Sequence, residues 1–514
     1  MPRKGFFNFS ANTHKRRSVN SGSVFATVLI GINVVTLVFM APLNSLILAH
    51  PYEPVCISCL FTAYGFGILV VGFSLFLVHW WADEKVALLV QKILSIVALV
   101  SFLHLIQITM IPSSSNTLYV IGCVVALAPA VIGFLRGKKK TVILVHQFFF
   151  VLFLYEALNF GRIILQAHEL EANMESTHKR VEQVALSGNG HHVFWIIFDE
   201  FSLVQSLEGD EFDVSVVPNL AKFSETSTWY PHARTLYSKT SQAVSALLLA
   251  KKDVLHFSHH FIDNFDSQNY LSFMAQNMEV FILGYYLPYC HAFQQVAERC
   301  RIYLDKGFTD YGHLARHVWH RSVPGELRNT KIGRKLRSLI LPQSDQLALQ
   351  GRPITRALSM GQSFDHPTFT YIHEGLPHYP FQFASNGDVR QIVYDGGPSK
   401  DLSHDELEEL QKFYREQLTY VDSLFGEFVD QLKAKELYAQ SYIVVMSDHG
   451  TSFDPQKPGR VLEHEHVARV PFLIKSPGQT HGVVNRRFID TSEFFGVLLN
   501  KMERVKHQSQ LPPK

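Results

Sequence analysis

Apolar and polar residues are distributed unevenly along this chain. Up to about residue 165 the sequence consists mainly of apolar blocks, and five of them are long enough to cross a bilayer: 24–49, 58–80, 87–110, 117–134 and 142–165. A membrane-spanning helix needs about 20 apolar residues. Buried helices of a water-soluble domain are the alternative, but such helices keep a polar face, which these blocks lack. We therefore predict a five-helix transmembrane N-terminal domain over residues 24–165.

Lysine and arginine set the predicted orientation of this domain. Basic residues cluster before the first block and after the fourth: Arg3, Lys4, Lys15, Arg16, Arg17, Arg136, Lys138, Lys139 and Lys140. Because cytoplasmic loops carry an excess of such residues, the N-terminus (1–23) is expected in the cytoplasm. An odd number of spans then places the rest of the chain on the outer side. We therefore predict an integral protein of a bacterial inner membrane with a periplasmic C-terminal domain.

After residue 190 the pattern changes to short apolar runs that alternate with amphipathic stretches. Five runs are typical of strands buried on both faces: Val193–Phe198, Glu279–Gly284, Thr368–His373, Ser441–Met446 and Val470–Lys475. The clearest helical pattern is Leu407–Leu437. This alternation predicts a parallel sheet with helices on both faces. We assign the α/β domain to 191–503, after a helical linker at 166–190 and before a polar tail at 504–514.

Length and charge narrow the classes of protein that fit. With 514 residues the chain needs more than one domain. Its formal net charge is +2, whereas a nucleic-acid-binding protein usually needs a clustered basic face, so no nucleic-acid partner is expected. Cys290 and Cys300 lie on the predicted outer side, where oxidation would let them close a small disulfide loop. Their spacing fits two unpaired buried thiols equally well.

Several residues with metal-ligand chemistry follow the predicted strands. Asp199 and Glu200 follow the first, His373 ends the third, and Asp448-His449-Gly450 follows the fourth. Ligand sites of parallel sheets lie beyond the carboxyl ends of the strands. Asp and neutral His are common ligands of divalent cations, and His464 and His466 could add further donors. A structural hydrogen bond between Asp448 and His449 is the alternative for that pair alone.

Tyr237–Leu249 has the pattern of a polar turn that enters an apolar helix. Thr240 or Ser241 would cap this helix. A helix N-terminus also attracts anions, and a hydroxyl beside a cation can lose its proton and attack phosphorus. The segment therefore predicts either a simple helix cap or a nucleophile.

The order of these motifs resembles the alkaline-phosphatase/sulfatase superfamily over about residues 193–500. More closely, it resembles the membrane sulfatase-like hydrolases and transferases, which include phosphoethanolamine transferases and lipoteichoic acid synthase. The matching pieces are Ile196–Glu200, Val217–Phe223, Thr228–Tyr230, Thr240–Leu248, His373, Leu376–Phe381, Val421-Asp422, Val445–Gly450 and Arg469–Lys475. The resemblance implies an α/β alkaline-phosphatase-like domain with a mixed, mostly parallel sheet.

The resemblance also implies roles for individual residues. Asp199, Thr240, Asp448 and His449 would bind a divalent cation (Zn, Mn, Mg or Ca), with Thr240 as the nucleophile. His378 would bind the substrate phosphate or protonate the leaving group. Glu200, His373, His464, His466 and Lys239 are further candidates for metal or substrate contacts, although a solvated Lys239 is as plausible.

Two departures from the family pattern bear on function. The family's Val-Pro and Thr-Gly pairs are replaced by Val244-Ser245 and Leu249-Ala250. Ser241-Gln242-Ala243 lacks the Pro and Arg of the formylglycine signal, so a formylglycine-dependent sulfatase is not expected. We expect metal-dependent transfer or hydrolysis of a phosphoester through a covalent threonine intermediate. The donor would be a membrane lipid or a lipid-linked molecule, and the acceptor a sugar, a polymer or water. The alternatives are a sulfatase-like ester hydrolase that uses water and a non-catalytic relative that binds lipid or a partner.

Overall fold

The computed structural model describes residues 191–250, 269–303, 352–390 and 397–509, the strand Glu175–Thr177, and separate helical positions between residues 29 and 165. The chain divides into two compact units. The helical positions up to residue 164 belong to one unit, and the described residues from 175 onwards belong to the other.

The N-terminal unit is helical at its described positions and contains buried polar groups. Asn44 Nδ2 donates to Glu156 Oε2 at 3.0 Å, and Tyr64 OH donates to Asn44 Oδ1 at 3.0 Å. Glu156 and Lys92 are both buried.

The five predicted membrane spans are not supported. Among the described residues, no helix combines the length and the apolar character that crossing a bilayer requires. This finding overturns the five-helix transmembrane domain, and with it the inner-membrane localisation and the periplasmic placement that depended on it. The physical reason is that a span needs one continuous apolar helix, whereas an apolar block in a sequence shows composition alone. Block 117–134 and the basic residues that set the predicted orientation lie outside the described residues.

The α/β unit contains strands and helices in alternation. In chain order the strands are β1 (Glu175–Thr177), β2 (Val193–Asp199), β3 (Leu207–Glu208), β4 (Glu211–Phe212), β5 (Thr228–Trp229), β6 (Ala233–Arg234), β7 (Glu279–Tyr285), β8 (Arg299–Tyr303), β9 (Thr368–Pro377), β10 (Tyr442–Ser447), β11 (Phe472–Lys475), β12 (Val483–Val484) and β13 (Ile489–Asp490). The α-helices are Pro218–Ser224, Thr240–Leu249, Tyr270–Met274, Tyr289–Ala292, Pro353–Arg356, His404–Ala434, Glu465–Ala468 and Phe494–Ser509, and 3-10 turns lie at Val204–Ser206 and Thr491–Glu493. Of the predicted linker, the structure describes only β1.

One large sheet organises this unit. Its strand order is β1-β8-β7-β9-β2-β10-β11-β5-β12. The five central strands, from β8 to β10, run parallel to one another, while β1, β11 and β5 each pair antiparallel with a neighbour. The prediction of a mixed, mostly parallel sheet is therefore confirmed.

The side chains of β2 alternate between two hydrophobic cores. Phe194 and Ile196 pack in the core that contains the helix His404–Ala434. Trp195 and Ile197 pack in the opposite core, which contains residues of Thr240–Leu249 and Phe494–Ser509. Burial on both faces explains why the central strands are almost continuously apolar, and the predicted helices on both faces are confirmed.

Asp422 fixes the helix Pro218–Ser224 against the long helix His404–Ala434. Its carboxylate accepts hydrogen bonds from the backbone N–H of Asn219 at 2.8 Å and of Leu220 at 2.7 Å. These N–H groups are among the donors that a helix N-terminus leaves without intrahelical partners. The Val421-Asp422 piece of the family resemblance thus has a structural role, which is to cap and anchor a helix.

Candidate functional site

Four side chains from three distant parts of the sequence meet at the carboxyl end of the sheet. Asp199 ends β2, and Asp448 and His449 follow β10, its parallel neighbour. Thr240 is the first residue of the helix Thr240–Leu249, which packs on one face of this sheet. Its Oγ1 lies 3.3 Å from Asp199 Oδ1 and 3.4 Å from His449 Nε2. All four side chains are buried.

The two acids and the imidazole form a compact donor set for a cation. One ligand atom from each of Asp199, Asp448 and His449 lies within 4.8 Å of the others. His449 Nε2 is 3.4 Å from Asp448 Oδ2 and 4.0 Å from Asp199 Oδ1. Two carboxylate oxygens and one imidazole nitrogen suit a divalent cation.

Hydrogen bonds orient the ligand atoms of Asp448 and His449. Asp448 Oδ1 accepts from the backbone N–H of Glu200 at 3.0 Å and of His449 at 2.7 Å. Its Oδ2 is buried and accepts no hydrogen bond from any described residue. His449 Nδ1 donates to the Gly450 carbonyl at 3.1 Å, which leaves the lone pair on Nε2. Asp448 Oδ2, which accepts no hydrogen bond from a described residue, and the unprotonated His449 Nε2 lie next to each other. This pair of electron-pair donors suits a cation, so the residues present fit the expected metal.

The electrostatics of the cluster favour the same conclusion. Burial raises the pKa of Asp199 well above its ordinary value, and the nearby Asp448 raises it further, whereas Arg460 acts in the opposite direction. Burial also lowers the pKa of His449, so its imidazole is held in the neutral form that binds metals. A divalent cation would offset the repulsion between the two buried carboxylates.

The Thr240 side chain does not cap the helix Thr240–Leu249. The N-cap residue of the helix is Lys239, and no side-chain capping hydrogen bond is made at this end in the described part of the chain. The Thr240 hydroxyl is directed at Asp199 and His449 instead of the helix backbone. Lys239 is exposed.

A second charged group lies beside the cation cluster. Glu200 is buried in the left-handed conformation, with φ 66°. Arg460 donates to Glu200 Oε2 at 2.9 Å and Oε1 at 3.4 Å, and it also donates to His378 Nε2. His378 Nδ1 donates to the Tyr379 carbonyl. The predicted acid Glu200 is thus held in an ion pair with Arg460 and lies outside the three-residue cation cluster.

The surroundings of Glu200 and His378 determine whether each side chain is charged. Burial alone would raise the pKa of Glu200, but Arg460 and His378 lower it to about 2, so its carboxylate is ionised. Burial lowers the pKa of His378 to about 4, and Glu200 opposes this only in part. His378 is therefore neutral near pH 7 and accepts a hydrogen bond from the Arg460 guanidinium.

The remaining predicted histidines lie elsewhere. His464 Nδ1 accepts from the His466 backbone N–H at 3.2 Å and caps the helix Glu465–Ala468, while its Nε2 bonds Asp454 Oδ2 at 3.2 Å. His466 Nδ1 accepts from Gln205 Nε2 at 3.0 Å. His373 is buried on β9, with Nδ1 2.8 Å from the Tyr289 hydroxyl. Among the described residues, none of the three belongs to the compact cluster.

Sequence reasoning did not identify Arg460. It lies in a polar loop between Gly450 and His464, and this loop has no periodic pattern. In the sequence it is a basic residue between two motifs. A basic residue in such a position is normally interpreted as solvated. The structure instead brings it to a buried carboxylate.

Cys290 and Cys300 form a disulfide bond, with their Cα atoms 5.4 Å apart. Of the two alternatives that the spacing left open, the structure therefore has the bonded one. The bond joins the helix Tyr289–Ala292 to strand β8.

The chain is similar to solved structures of phosphonate monoester hydrolases from Agrobacterium radiobacter (15% identity, 61% of this chain and 74% of that chain, TM-score 0.44) and Silicibacter pomeroyi (14%, 61% and 73%, 0.42). It is also similar to a protein in the alkaline phosphatase superfamily from Vibrio parahaemolyticus (12%, 61% and 67%, 0.40). A comparison with curated proteins gave no match. The family model described as Sulfatase matches residues 192–503, more than half of the chain. The chain therefore belongs to the sulfatase family and is a sulfatase-like hydrolase.

Proposed function

We propose that this enzyme cleaves a phosphoester through a covalent intermediate on Thr240. Sulfatase-family enzymes are metal-dependent, and Asp199, Asp448 and His449 would hold the cation here. The observation that carries the proposal is the contact of the buried Thr240 hydroxyl with both Asp199 and His449, at 3.3 Å and 3.4 Å. A bound divalent cation, whether Zn, Mn, Mg or Ca, would supply the positive charge that makes this hydroxyl acidic.

Asp199 accepts the proton that the Thr240 hydroxyl loses. Thr240 Oγ1 donates a hydrogen bond to Asp199 Oδ1 at 3.3 Å, so the proton already points at a carboxylate oxygen. The oxygen that remains forms a bond to phosphorus while the bond from phosphorus to the leaving-group oxygen breaks. The leaving oxygen takes up a proton from water. In the second step a water oxygen forms a bond to phosphorus while the bond from phosphorus to Thr240 Oγ1 breaks. Thr240 Oγ1 takes back the proton held by Asp199, and the proton that the attacking water loses goes to solvent as phosphate leaves.

Arg460 is the residue we propose to bind the charged oxygens of the ester. A guanidinium has five N–H donors, and Glu200 and His378 engage those on Nε and Nη2. The two donors on Nη1 make no hydrogen bond to another described residue, so they remain for a substrate oxygen. The buried Glu200 carboxylate holds the guanidinium in place, so its orientation is set before substrate binds. His378 accepts from Arg460 in this state, and its role as acid for the leaving group stays a prediction.

Water is the acceptor that we propose. The family is one of hydrolases, and the five-span domain that favoured a lipid donor is not supported. A sugar or polymer acceptor and a lipid or lipid-linked donor stay predictions from the resemblance. The absence of Pro and Arg after Ser241 in the sequence supports a threonine oxygen, rather than formylglycine, as the nucleophile.

Trapping the intermediate tests the proposal. Purified protein is incubated with Mn²⁺ or Zn²⁺ and para-nitrophenyl phosphate, quenched in acid, digested and analysed by mass spectrometry. We expect phosphate on Thr240 in the wild type, none in Thr240→Ala, and phosphate on the serine of Thr240→Ser. Turnover by Thr240→Ala at the wild-type rate would contradict the proposal. A protein without turnover or phosphate adduct for any phosphoester would favour the non-catalytic alternative.

A further inference from the structure

Glu200, His378 and Arg460 come from three separate loops, and one helix contacts all three of these loops. Glu200 follows β2, His378 follows β9, and Arg460 lies between β10 and β11. The helix is His404–Ala434, which packs on one face of the sheet. Its contacts with the loops are made by Tyr414 and by a glutamine three positions further on, so both side chains are on one face of the helix. Both are fully buried.

The Tyr414 hydroxyl makes two hydrogen bonds to the turn that contains Glu200. It donates to the Glu200 carbonyl at 2.9 Å and accepts from the Ser202 backbone N–H at 2.8 Å. Glu200 has a φ of 66°, a left-handed conformation that a residue other than glycine keeps only where its surroundings enforce it. The Glu200 N–H donates to Asp448 Oδ1 at 3.0 Å. The turn is therefore held by the helix on one side and by the residue after β10 on the other.

The Tyr414 ring contacts the loop that contains Arg460. Its centroid is 5.3 Å from the centroid of the Phe453 ring. The chain neighbours of Phe453 and Arg460, which are Ser452 and Gly459, pair through two backbone hydrogen bonds of 3.0 and 2.7 Å. This bridge closes the loop next to both residues, so the position of Phe453 against Tyr414 also determines where Arg460 begins.

Gln417 fixes the segment that contains His378. Its Nε2 donates to the carbonyls of Pro377 and His378, both at 3.0 Å. Its Oε1 accepts from the backbone N–H of Gln382 at 3.0 Å and of Phe383 at 3.1 Å. These four bonds use both N–H groups and both lone pairs of the amide. The two ends of segment 377–383 are thus attached to one side chain of the helix.

We propose that Tyr414 and Gln417 are positioning residues of the substrate site. From one face of the helix they fix the three loops relative to one another, so that the Arg460 guanidinium is oriented for the oxygens of the ester before substrate binds. The inference rests on the proposed function, because it takes Arg460 as the group that binds these oxygens. If both residues served the fold alone, their replacement would lower stability and leave the affinity for phosphate unchanged.

The test is the affinity of the full-length protein for inorganic phosphate, measured by titration calorimetry with one equivalent of Mn²⁺. Tyr414→Phe removes one oxygen, and Gln417→Met removes the amide while it keeps the length of the side chain. Tyr442→Phe is the matched control, because Tyr442 is a buried tyrosine whose hydroxyl donates to a backbone carbonyl, that of Lys501, at 3.3 Å. It begins β10, at the end opposite the site. Thermal unfolding of every variant reports its fold.

A background without the guanidinium tests whether Tyr414 acts through Arg460. Arg460→Met combined with Glu200→Gln removes the guanidinium together with its buried partner charge. Two residues that act through one contact are not additive. Tyr414→Phe should therefore weaken phosphate binding in the wild-type protein and cause no further loss in this background.

We expect Tyr414→Phe and Gln417→Met each to weaken phosphate binding by about 5-fold or more, and Tyr442→Phe to bind as the wild type does. Wild-type affinity in both site variants would overturn the inference, and so would an equal loss from Tyr414→Phe in the background without Arg460. If that background binds phosphate too weakly to measure, the single variants decide. If Tyr414→Phe does not fold, Gln417→Met decides alone.

Failure of the proposed function gives a different result. Phosphate binding that weakens in Tyr414→Phe, in a protein that forms no phosphate adduct on Thr240, would support the inference and count against the covalent intermediate. A wild-type protein that binds no phosphate would overturn the inference together with the proposed role of Arg460.

Discussion

Thr240 Oγ1 lies 3.3 Å from Asp199 Oδ1, although the two residues are 41 positions apart in the chain. Packing on one face of the sheet brings them together. Val244 and Leu247 of the helix that begins at Thr240 share a hydrophobic core with Trp195 and Ile197 of β2, the strand that ends at Asp199. The position of the proposed nucleophile is thus a consequence of how this helix packs on the strand.

Removing the Thr240 hydroxyl should abolish turnover without unfolding the protein. Thr240→Ala is expected to lower kcat for a phosphoester by about 10⁴-fold or more, the range seen when a nucleophile is lost. Thr240→Ser should keep part of the activity because it retains the oxygen. Steady-state kinetics with thermal unfolding as the fold control checks this, and equal losses in both variants would count against a nucleophilic hydroxyl.

Arg460 should serve both stability and substrate binding, and two variants separate these roles. Arg460→Met leaves the buried Glu200 carboxylate without its cation, which should cost about 3–5 kcal/mol of the free energy of unfolding. Adding Glu200→Gln removes that unpaired buried charge and should restore much of the lost free energy of unfolding. The KM for a phosphoester should stay raised by about 10–100-fold in the double variant. If the KM returns to the wild-type value together with stability, Arg460 has no contact with the substrate.

Glu374 should make stability depend on pH. Burial raises its pKa to about 7, against the effect of Arg352, whereas an ordinary glutamate titrates at about 4.3. The stability that the neutral carboxyl contributes is therefore complete below about pH 4.3 and is lost as the pH rises through about 7. Glu374→Gln removes this ionisation and can still accept the hydrogen bond from the Ile354 N–H.

The Tm of Glu374→Gln, relative to the wild type, should therefore increase between about pH 5 and about pH 8. Differential scanning calorimetry across this range measures the difference. A Tm difference that does not change with pH would show that Glu374 keeps one protonation state throughout.

Ala250 occupies a backbone position that suits glycine. It ends the helix Thr240–Leu249 in the left-handed conformation, with φ 52°, and its side chain is exposed. The family has Thr-Gly where this chain has Leu249-Ala250, so the sequence departure becomes local backbone strain. Ala250→Gly should raise the free energy of unfolding by about 1 kcal/mol in urea titrations.

Ala221→Gly is the matched control for this effect. Ala221 lies within the helix Pro218–Ser224, where glycine should lower the free energy of unfolding by about 1 kcal/mol. Destabilisation by both substitutions would refute the assignment of strain to Ala250.

Much of the fold follows from the sequence because the central strands are buried on both faces. The runs predicted at Val193–Phe198 and Ser441–Met446 correspond to β2 and β10 within one residue, and the helix His404–Ala434 follows its apolar period and begins at a capping box formed by Ser403 and Glu406. β5 and β12 have two residues each, which is too short for an alternating apolar pattern to show in the sequence. These strands form because they pair with neighbours in the sheet.

The part of the candidate site that lies at the ends of strands was predictable from the sequence. Asp199, Asp448 and His449 end or follow long apolar runs, so the topology of a parallel sheet brings them together. Arg460 was not predictable, because nothing local in a polar loop indicates contact with a buried carboxylate. The role of His464 as a helix cap depends on the position of its own nitrogen relative to the His466 backbone, which only coordinates reveal.

The proposed reaction needs a cation where Thr240 meets Asp199, Asp448 and His449. A crystal structure of the protein soaked in Mn²⁺, with anomalous diffraction data that locate the ion, shows whether one binds there. We predict one strong anomalous peak in contact with Asp199, Asp448 and His449 and with Thr240 Oγ1 beside it. A fully occupied ion elsewhere, with no peak among these four residues, would contradict the account.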